Sequence, residues 1–254
     1  MNYRKEFEIY CDFLIKNNLK INKFSEFKFE SLREFSNFNS VETILSWYEE
    51  RKKLSKMITK PIPLTECRKW NFTKDYSEMY HDSGEFYKIN GIRVSGTSKR
   101  EVTKGWDQPF ITQIGYDGGI LGLIRKRFDG IPHYLVEAKE EPGNYNKVQI
   151  STTIQATFSN LKRAHEGNQT PYSDYFLNYK KYPIEIILDQ WMSEDGGRLY
   201  NKRNKVMIIE HDEKIKLNLI SSNYKWLSMF QIKYLITEHN SIIAPHLRSA
   251  ISGL

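Results

Sequence analysis

The sequence predicts an α+β fold, with strands in the middle of the chain and helices at its two ends. Apolar residues recur at helical spacing before residue 60 and again after about residue 226. Between these regions they alternate, or run in short blocks bounded by Gly and Asp. Strands and helices do not alternate regularly, as they would in a chain of βαβ units. At 254 residues the chain is long enough for one large domain or two small ones, with a sizeable core.

In the first sixty residues Phe7, Tyr10, Cys11, Leu14 and Ile15 follow the 3.6-residue period, which ends near Asn17-Asn18. Ser40 is a suitable N-cap for a second helix carrying Val41, Ile44, Leu45 and Tyr48 on one face. Pro61-Ile62-Pro63 then stops helix formation. The expected organisation is a helical segment, residues 1–60, and a module, residues 61–254, joined in one compact unit. Phe86 to Val94 contains Asn90-Gly91 between alternating runs, which predicts a β-hairpin. Pro109 to Tyr116, Gly119 to Lys126 and His133 to Ala138 read as further strands, separated by Asp117-Gly118-Gly119 and Asp129-Gly130. Val148 and Ile150 alternate with polar neighbours as a half-buried strand would. Ile154, Thr157, Phe158 and Leu161 recur at helical spacing and predict a helix around Ile154–Arg163. Strands follow at Ile184–Leu188 and Val206–Glu210, then helices near Leu227–Ile236 and Ala244–Ile251. No internal repeat or low-complexity tract is visible.

Composition removes several function classes. There is no apolar run long enough to span a bilayer, and Met1 to Glu6 lacks a signal-peptide core, so a soluble, cytoplasmic protein with no membrane partner is expected. Cys11 and Cys67 have neither metal-ligand spacing nor a disulfide framework. The net charge of +7 is spread along the chain without a nucleic-acid-binding motif, which argues against a polymeric nucleic acid partner. A modest positive field equally suits a small anion such as a nucleotide diphosphate. The 16 Tyr, 14 Phe and 5 Trp pack the core or stack on a base or sugar.

Four polar clusters are candidates for chemistry. His81-Asp82-Ser83-Gly84-Glu85-Phe86 precedes the expected hairpin, where a lone His is more often structural than catalytic. Trp106-Asp107-Gln108-Pro109 sets an indole beside an amide at a strand entrance, able to hold a base or simply to staple a loop. Residues 137–160 are the densest, with Lys139, Glu140, Glu141, Asn144, Gln149, Gln155 and Asn160 on segments that also carry apolar residues. Polar side chains on elements that also face a core line a site, although Pro142 and Gly143 alone explain the turn. Ser193 to Arg198, then Asn201 to Asn204, is either a solvated loop or a diphosphate clamp through Arg198 or Arg203, whose planar guanidinium suits that role. No Gly-rich dinucleotide or P-loop fingerprint, nucleophile elbow or zinc helix occurs. The histidines at 81, 133, 165, 211, 239 and 246 show no ligand-like pairing. A site without cofactor or metal, running on acid, base and hydrogen bonds, is what this leaves.

The ordered motifs are Arg100-Glu101-Val102, Trp106-x-Gln108-Pro109, Gly119-Ile120-Leu121-Gly122 and Ala138-Lys139-x-Glu141-Pro142-Gly143-Asn144. They continue with Gln149, Thr153-Ile154-Gln155-Ala156-Thr157-x-Ser159-Asn160, Ser193-Glu194-x-Gly196, Lys202-Arg203-Asn204 and the terminal His246-Leu247-Arg248-Ser249-Ala250. In this order they resemble the NDP-4-keto-6-deoxyhexose 2,3-dehydratases, over some two thirds of the chain. The resemblance implies removal of water across C2 and C3 of a nucleotide-linked 4-keto sugar, usually the dTDP sugar, without nicotinamide or redox metal. It implies a Nudix-like fold, a mixed or antiparallel sheet with flanking helices. The Nudix hydrolase signature is missing, which disfavours the alternative of a diphosphatase.

The family commonly carries two copies of this module in one chain, whereas one is visible here. A homodimer would supply by a two-fold axis what an internal repeat would. The other alternative is a partner subunit that binds nucleotide sugar without turnover. Glu137 and Asp195 stand where the family usually has Gln, and Thr152 where it has Pro, which bears on sugar specificity. Lys139 and Glu141 are the first expected catalytic groups, with Glu194 and His81 as rival bases. Gln149, Thr153, Gln155 and Asn160 are expected on sugar hydroxyls, with Asn144 and Asn204 also lining the substrate. Trp106 and Gln108 are expected on the base, and Arg198 and Arg203 on the diphosphate. The diketone product implies a downstream NADPH-dependent 3-ketoreductase.

Overall fold

A computed structural model describes residues 2–36, 38–113, 117–163 and 168–254, with the backbone alone at Asp117. The Asn2 side chain accepts from the Lys5 amide and starts α1 (Tyr3–Lys16), which buries Tyr3 and Leu14. The short α2 (Ser25–Glu30) brings Phe29 against Tyr3 and Phe35, with ring centroids 5.0–5.4 Å apart. Ser40 caps α3 (Val41–Leu54) by accepting from the Thr43 amide, as expected. That helix buries Ile44, Trp47 and Tyr48, and the Tyr48 hydroxyl donates to the Val148 carbonyl at 3.0 Å.

A first sheet begins with the meander β1 (Trp70–Phe72), β2 (Glu78–His81), β3 (Lys88–Val94) and β4 (Trp106–Thr112). The hairpin expected at Asn90-Gly91 does not form. Both residues lie inside β3, opposite Phe110 and Pro109 of β4, and neither has the positive φ that a two-residue hairpin turn requires. Asn90 accepts instead from the Thr112 hydroxyl at 2.6 Å. The strand expected at Pro109 to Tyr116 starts earlier, at Trp106, and its last three residues lie outside the described residues.

The second sheet is built on β5 (Asp117–Phe128) and β6 (Ile131–Glu140). Asp129 and Gly130 join them with φ of 52° and 78°, a two-residue turn of the hairpin kind. Asp117-Gly118-Gly119 is not a separator but the start of β5. Glycine is needed there because a Cβ on Gly118 would collide with Asn204 and Lys202, and one on Gly119 with the Ala156 backbone. β5 and β6 pair only from Ile124 and Leu135 to the turn; beyond that they part. β7 (Val148–Ser151) then lies along β6, and β8 (Ile154–Thr157) along β5. Thr153 pins the point of separation. Its hydroxyl accepts from the Ile124 amide at 2.9 Å and donates to the Leu135 carbonyl.

β7 is a strand as expected, but it is buried on both faces, Gln149 and Ser151 included. The helix expected at Ile154–Arg163 is mostly replaced. Ile154 and Ala156 face a core while Gln155 and Thr157 face away, so β8 is a strand, and only α4 (Phe158–Leu161) is helical. The edge of β5 freed by the departure of β6 supplies the partner that periodicity cannot see.

After α5 (Ser173–Leu177), β9 (Ile184–Ser193) precedes β10 (Leu199–Tyr200), which joins the first sheet parallel to β4. β11 (Arg203–His211) lies parallel to β5 and antiparallel to β9, and β12 (Tyr224–Leu227) closes the other edge beside β6. Leu227 therefore ends a strand rather than starting a helix. Ser228 and Gln231 form a capping box for α6 (Met229–Glu238), and α7 (Pro245–Ile251) ends the fold. The architecture is α+β, with mixed sheets and flanking helices, as expected. Helices α3, α6 and α7 cover one face of the second sheet over Leu123, Tyr134, Val136 and Ile208. α5 covers Ile124, Leu135, Met207 and Ile209 on the other. Among the described residues no helix is long and apolar enough to cross a membrane.

Candidate active site

The separation of β5 from β6 makes a mouth between β7 and β8, and three adjoining cavities run from it as a trough. The first, about 380 Å³, lies between the end of β6, the 141–147 turn, β7 and the start of α7. Lys139 Nζ stands 3.6 Å from Glu137 Oε2 and 3.8 Å from Glu141 Oε1. Burial pushes the Glu137 carboxyl up, and Lys139 beside it partly offsets this. Asn144 donates to the Lys139 and Lys147 carbonyls at 3.1 and 3.2 Å, so its amide braces the turn that presents Glu141. Gln149 donates to the Ser241 carbonyl at 2.7 Å, and the Ser151 hydroxyl donates to Gln155 Oε1 at 2.9 Å across the mouth.

The second cavity, about 250 Å³, shares Glu141, Gln155 and His246 with the first. It adds Thr157, Asn160, Glu194, Lys202 and Asn204. Glu194 leaves the end of β9, and its amide donates to the Lys202 carbonyl at 3.1 Å. Buried Asn204 donates to Glu194 Oε1, and His246 Nε2 stands 3.6 Å from that same oxygen. His246 beside it holds the Glu194 carboxyl below the usual range, against the effect of its partial burial.

The third cavity, about 500 Å³, shares Glu194 and Lys202 with the second. Ile92, Val94 and Phe110 of the first sheet give it an apolar floor, with Tyr200 and Arg203 also lining it. The Arg203 guanidinium lies over the Trp191 ring, 4.5 Å from its centroid.

The trough thus brings together Lys139, Glu141, Asn144, Gln149, Gln155, Asn160, Glu194, Arg203 and Asn204 from distant parts of the sequence. It does not include the others. His81 lies on β2 in the first sheet, bonded to the Ser83 hydroxyl at 2.8 Å and packed on Trp70 and Phe86. Thr153 is fully buried, its hydroxyl occupied by the strand separation. Trp106 donates to Gln108 at 2.6 Å, Gln108 to the Gly197 carbonyl at 2.8 Å, and Arg198 to that carbonyl at 2.9 Å. These three tie β4 to the 193–198 loop at the outer rim.

His246, Lys202 and Ser151 line the trough without having been singled out for a role. Lys202 opens the Lys202-Arg203-Asn204 motif and His246 the terminal one, and Ser151 continues the alternation of Gln149, which is the signal that could have found them. Chemically the trough offers two carboxylates, an imidazole, two ammonium groups, a guanidinium and several amides. Among the described residues no group of three or more His, Cys, Asp or Glu could hold a metal ion. His165 lies outside the described residues.

Comparison with known proteins gives a consistent result. A family model described as NDP-hexose 2,3-dehydratase matches residues 41–254. Three curated proteins named dTDP-4-dehydro-6-deoxy-alpha-D-glucopyranose 2,3-dehydratase are similar to this chain. The Saccharopolyspora spinosa protein is 34% identical over 77% of this chain and 38% of its own length. The Amycolatopsis orientalis protein is 34% identical, over 79% and 42%, and the Streptomyces violaceoruber protein 32%, over 82% and 45%. The chain spans less than half the length of these relatives.

Proposed function

Because the chain belongs to the NDP-hexose 2,3-dehydratase family, we propose that it removes water across C2 and C3 of a nucleotide-linked 4-keto-6-deoxyhexose, giving a 3,4-diketo-2,6-dideoxy sugar. The observation that carries this reading is the continuity of the trough, which joins an acid–base compartment to a cationic one with an apolar, aromatic floor. A nucleotide sugar has the same two ends.

The C4 ketone acidifies the C3 proton, so a positioned base removes it to give an enolate. The enolate then collapses and expels the C2 hydroxyl, which leaves as water once an acid protonates it. The resulting enol tautomerises to the diketone. Each proton transfer is worth about 10²–10⁴-fold. Lys139 is the cation in reach of a developing C4 oxyanion, and Glu141 and Glu194 are the carboxylates on either side of the hexose. Asn144, Gln149, Gln155 and Asn160 suit sugar hydroxyls. Lys202 and Arg203 suit the diphosphate, with the base against Phe110 and Tyr200. Trp106, Gln108 and Arg198 shape the rim of that compartment.

The names of the relatives point to thymidine as the nucleoside and a gluco ring as the sugar. In this reading the fold is Nudix-like, the protein works in the cytoplasm, and two copies of the chain pair as a homodimer. Residues 1–60 and 61–254 act as one unit, since α3 supplies Ile44, Trp47 and Tyr48 to the main core. An NADPH-dependent 3-ketoreductase consumes the product. The test is incubation with dTDP-4-keto-6-deoxyglucose in the presence of such a reductase, followed by mass spectrometry. Loss of one water supports the reading. Tight binding without it supports instead a partner subunit.

A further inference from the structure

We propose that His246 is the catalytic base that takes the C3 proton and returns it to the departing C2 hydroxyl, with Glu194 as its positioning residue. The inference rests on the dehydratase reading and deepens it. His246 borders both the first and the second cavity, together with Glu141 and Gln155, so it stands at the junction where the hexose would lie. Its side chain is 29% exposed and opens on the trough, while Nε2 faces Glu194 Oε1 at 3.6 Å. Glu194 is fixed in turn by Asn204, and Asn204 packs against Gly118, where no larger residue fits. A carboxylate held ionised beside an imidazole orients the ring and stabilises the imidazolium that forms when it takes a proton. Glu141, the carboxylate that lines the first cavity, stands instead 3.8 Å from Lys139 Nζ, whose ammonium Glu137 also flanks at 3.6 Å.

The stereochemistry of a gluco ring makes one group sufficient. The C3 hydrogen and the C2 hydroxyl lie on the same face, so a base under that face reaches both. With Nε2 turned to Glu194, Nδ1 is the atom that exchanges the proton. Neutral His246 removes the C3 proton, and the C–H electron pair becomes the C3–C4 double bond of the enolate, whose oxygen charge faces Lys139. The C4 carbonyl re-forms, the C2–C3 double bond forms, and the C2–O bond breaks. The imidazolium proton passes to that oxygen, water leaves, and His246 is neutral again. The enol at C3 then moves its proton to C2. No oxidant or reductant enters.

Steady-state turnover of the 4-keto sugar by the unaltered chain, H246A, H246Q, E194Q and E194D tests this. H246A and H246Q are expected to lower kcat about 100-fold or more with KM within about threefold. Added imidazole should restore H246A at least about tenfold, which a merely structural histidine would not allow. E194Q should lower kcat about tenfold at unchanged KM, with E194D recovering part of it. H246Q or H246A turning over within about fivefold of the unaltered chain overturns the proposal, as does a loss in folded H246A that imidazole does not restore. If H246A fails to show a cooperative melt, H246Q decides by its kcat alone. If the unaltered chain itself eliminates no water, the dehydratase reading fails and this assignment falls with it.

Discussion

Lys139 and Thr153 lie only 14 positions apart, yet the fold gives them opposite duties. Lys139 is partly exposed between two carboxylates at the edge of a cavity, so its ammonium can meet a developing negative charge. Replacing it by Met should lower kcat by about 10²–10³, the usual cost of one lost oxyanion donor, while leaving the melting temperature nearly unchanged. Thr153 is fully buried and holds two backbone groups. Thr153→Val should cost about 1–3 kcal/mol of stability, read by denaturant unfolding, because two buried backbone groups lose their partner. Thr153→Ser should recover most of it. The sequence shows both residues as polar members of one dense run, and composition cannot tell a hydroxyl that faces substrate from one that ties strands. The run as a whole was legible, because Lys139, Glu141, Gln149 and Gln155 do line one trough. His246 was legible as the start of the terminal motif but not as part of the site, because nothing around it in the sequence announces the Glu194 carboxylate that faces it from 52 positions away.

Among the elements, the parting of β5 and β6 decides where the site lies. Gly118 and Gly119 were readable as a turn only because glycine has more than one use. Here their missing side chains admit Asn204 and the edge of β8. Gly118→Ala should displace Asn204 from Glu194 and lower kcat more than it lowers binding of the nucleotide sugar, checked by kinetics beside calorimetry. β8 was mistaken for helix because Ile154, Thr157, Phe158 and Leu161 satisfy both a helical period and, over their first half, a strand with a partner. Local pattern does not contain the partner. β6 also carries the clearest pH device. Burial pushes the His133 imidazole down to about 4, with a hydrogen bond from the ring to the Ile131 carbonyl partly opposing it. The ring is fully buried and neutral in the folded state, so the unfolded chain binds the extra proton. Stability is therefore full above about pH 6.5 and falls as pH drops toward 4, by at most about 3 kcal/mol. The His133→Asn variant should flatten that stretch of the curve in chemical unfolding. Glu26, held at about 2 by Arg127 and Arg125 against its burial, adds a second loss below about pH 4.5.

For the whole molecule, one mixed sheet clad on both faces holds the trough, and a second sheet supplies the floor of its far end. The class of fold was readable from where helical and strand-like periods fall. The joining of the two sheets through β10 was not, since two residues of strand leave no pattern. The homodimer proposed above pairs two copies of this chain about a two-fold axis. Light scattering should then return twice the 30.1 kDa of one chain. Elimination across C2 and C3 is tested most directly with the 4-keto sugar nucleotide carrying deuterium at C3. Its mass should fall by one molecule of HDO as the label leaves C3, with the nucleotide still attached. An unchanged mass with the label retained, or release of a nucleoside monophosphate, would contradict it.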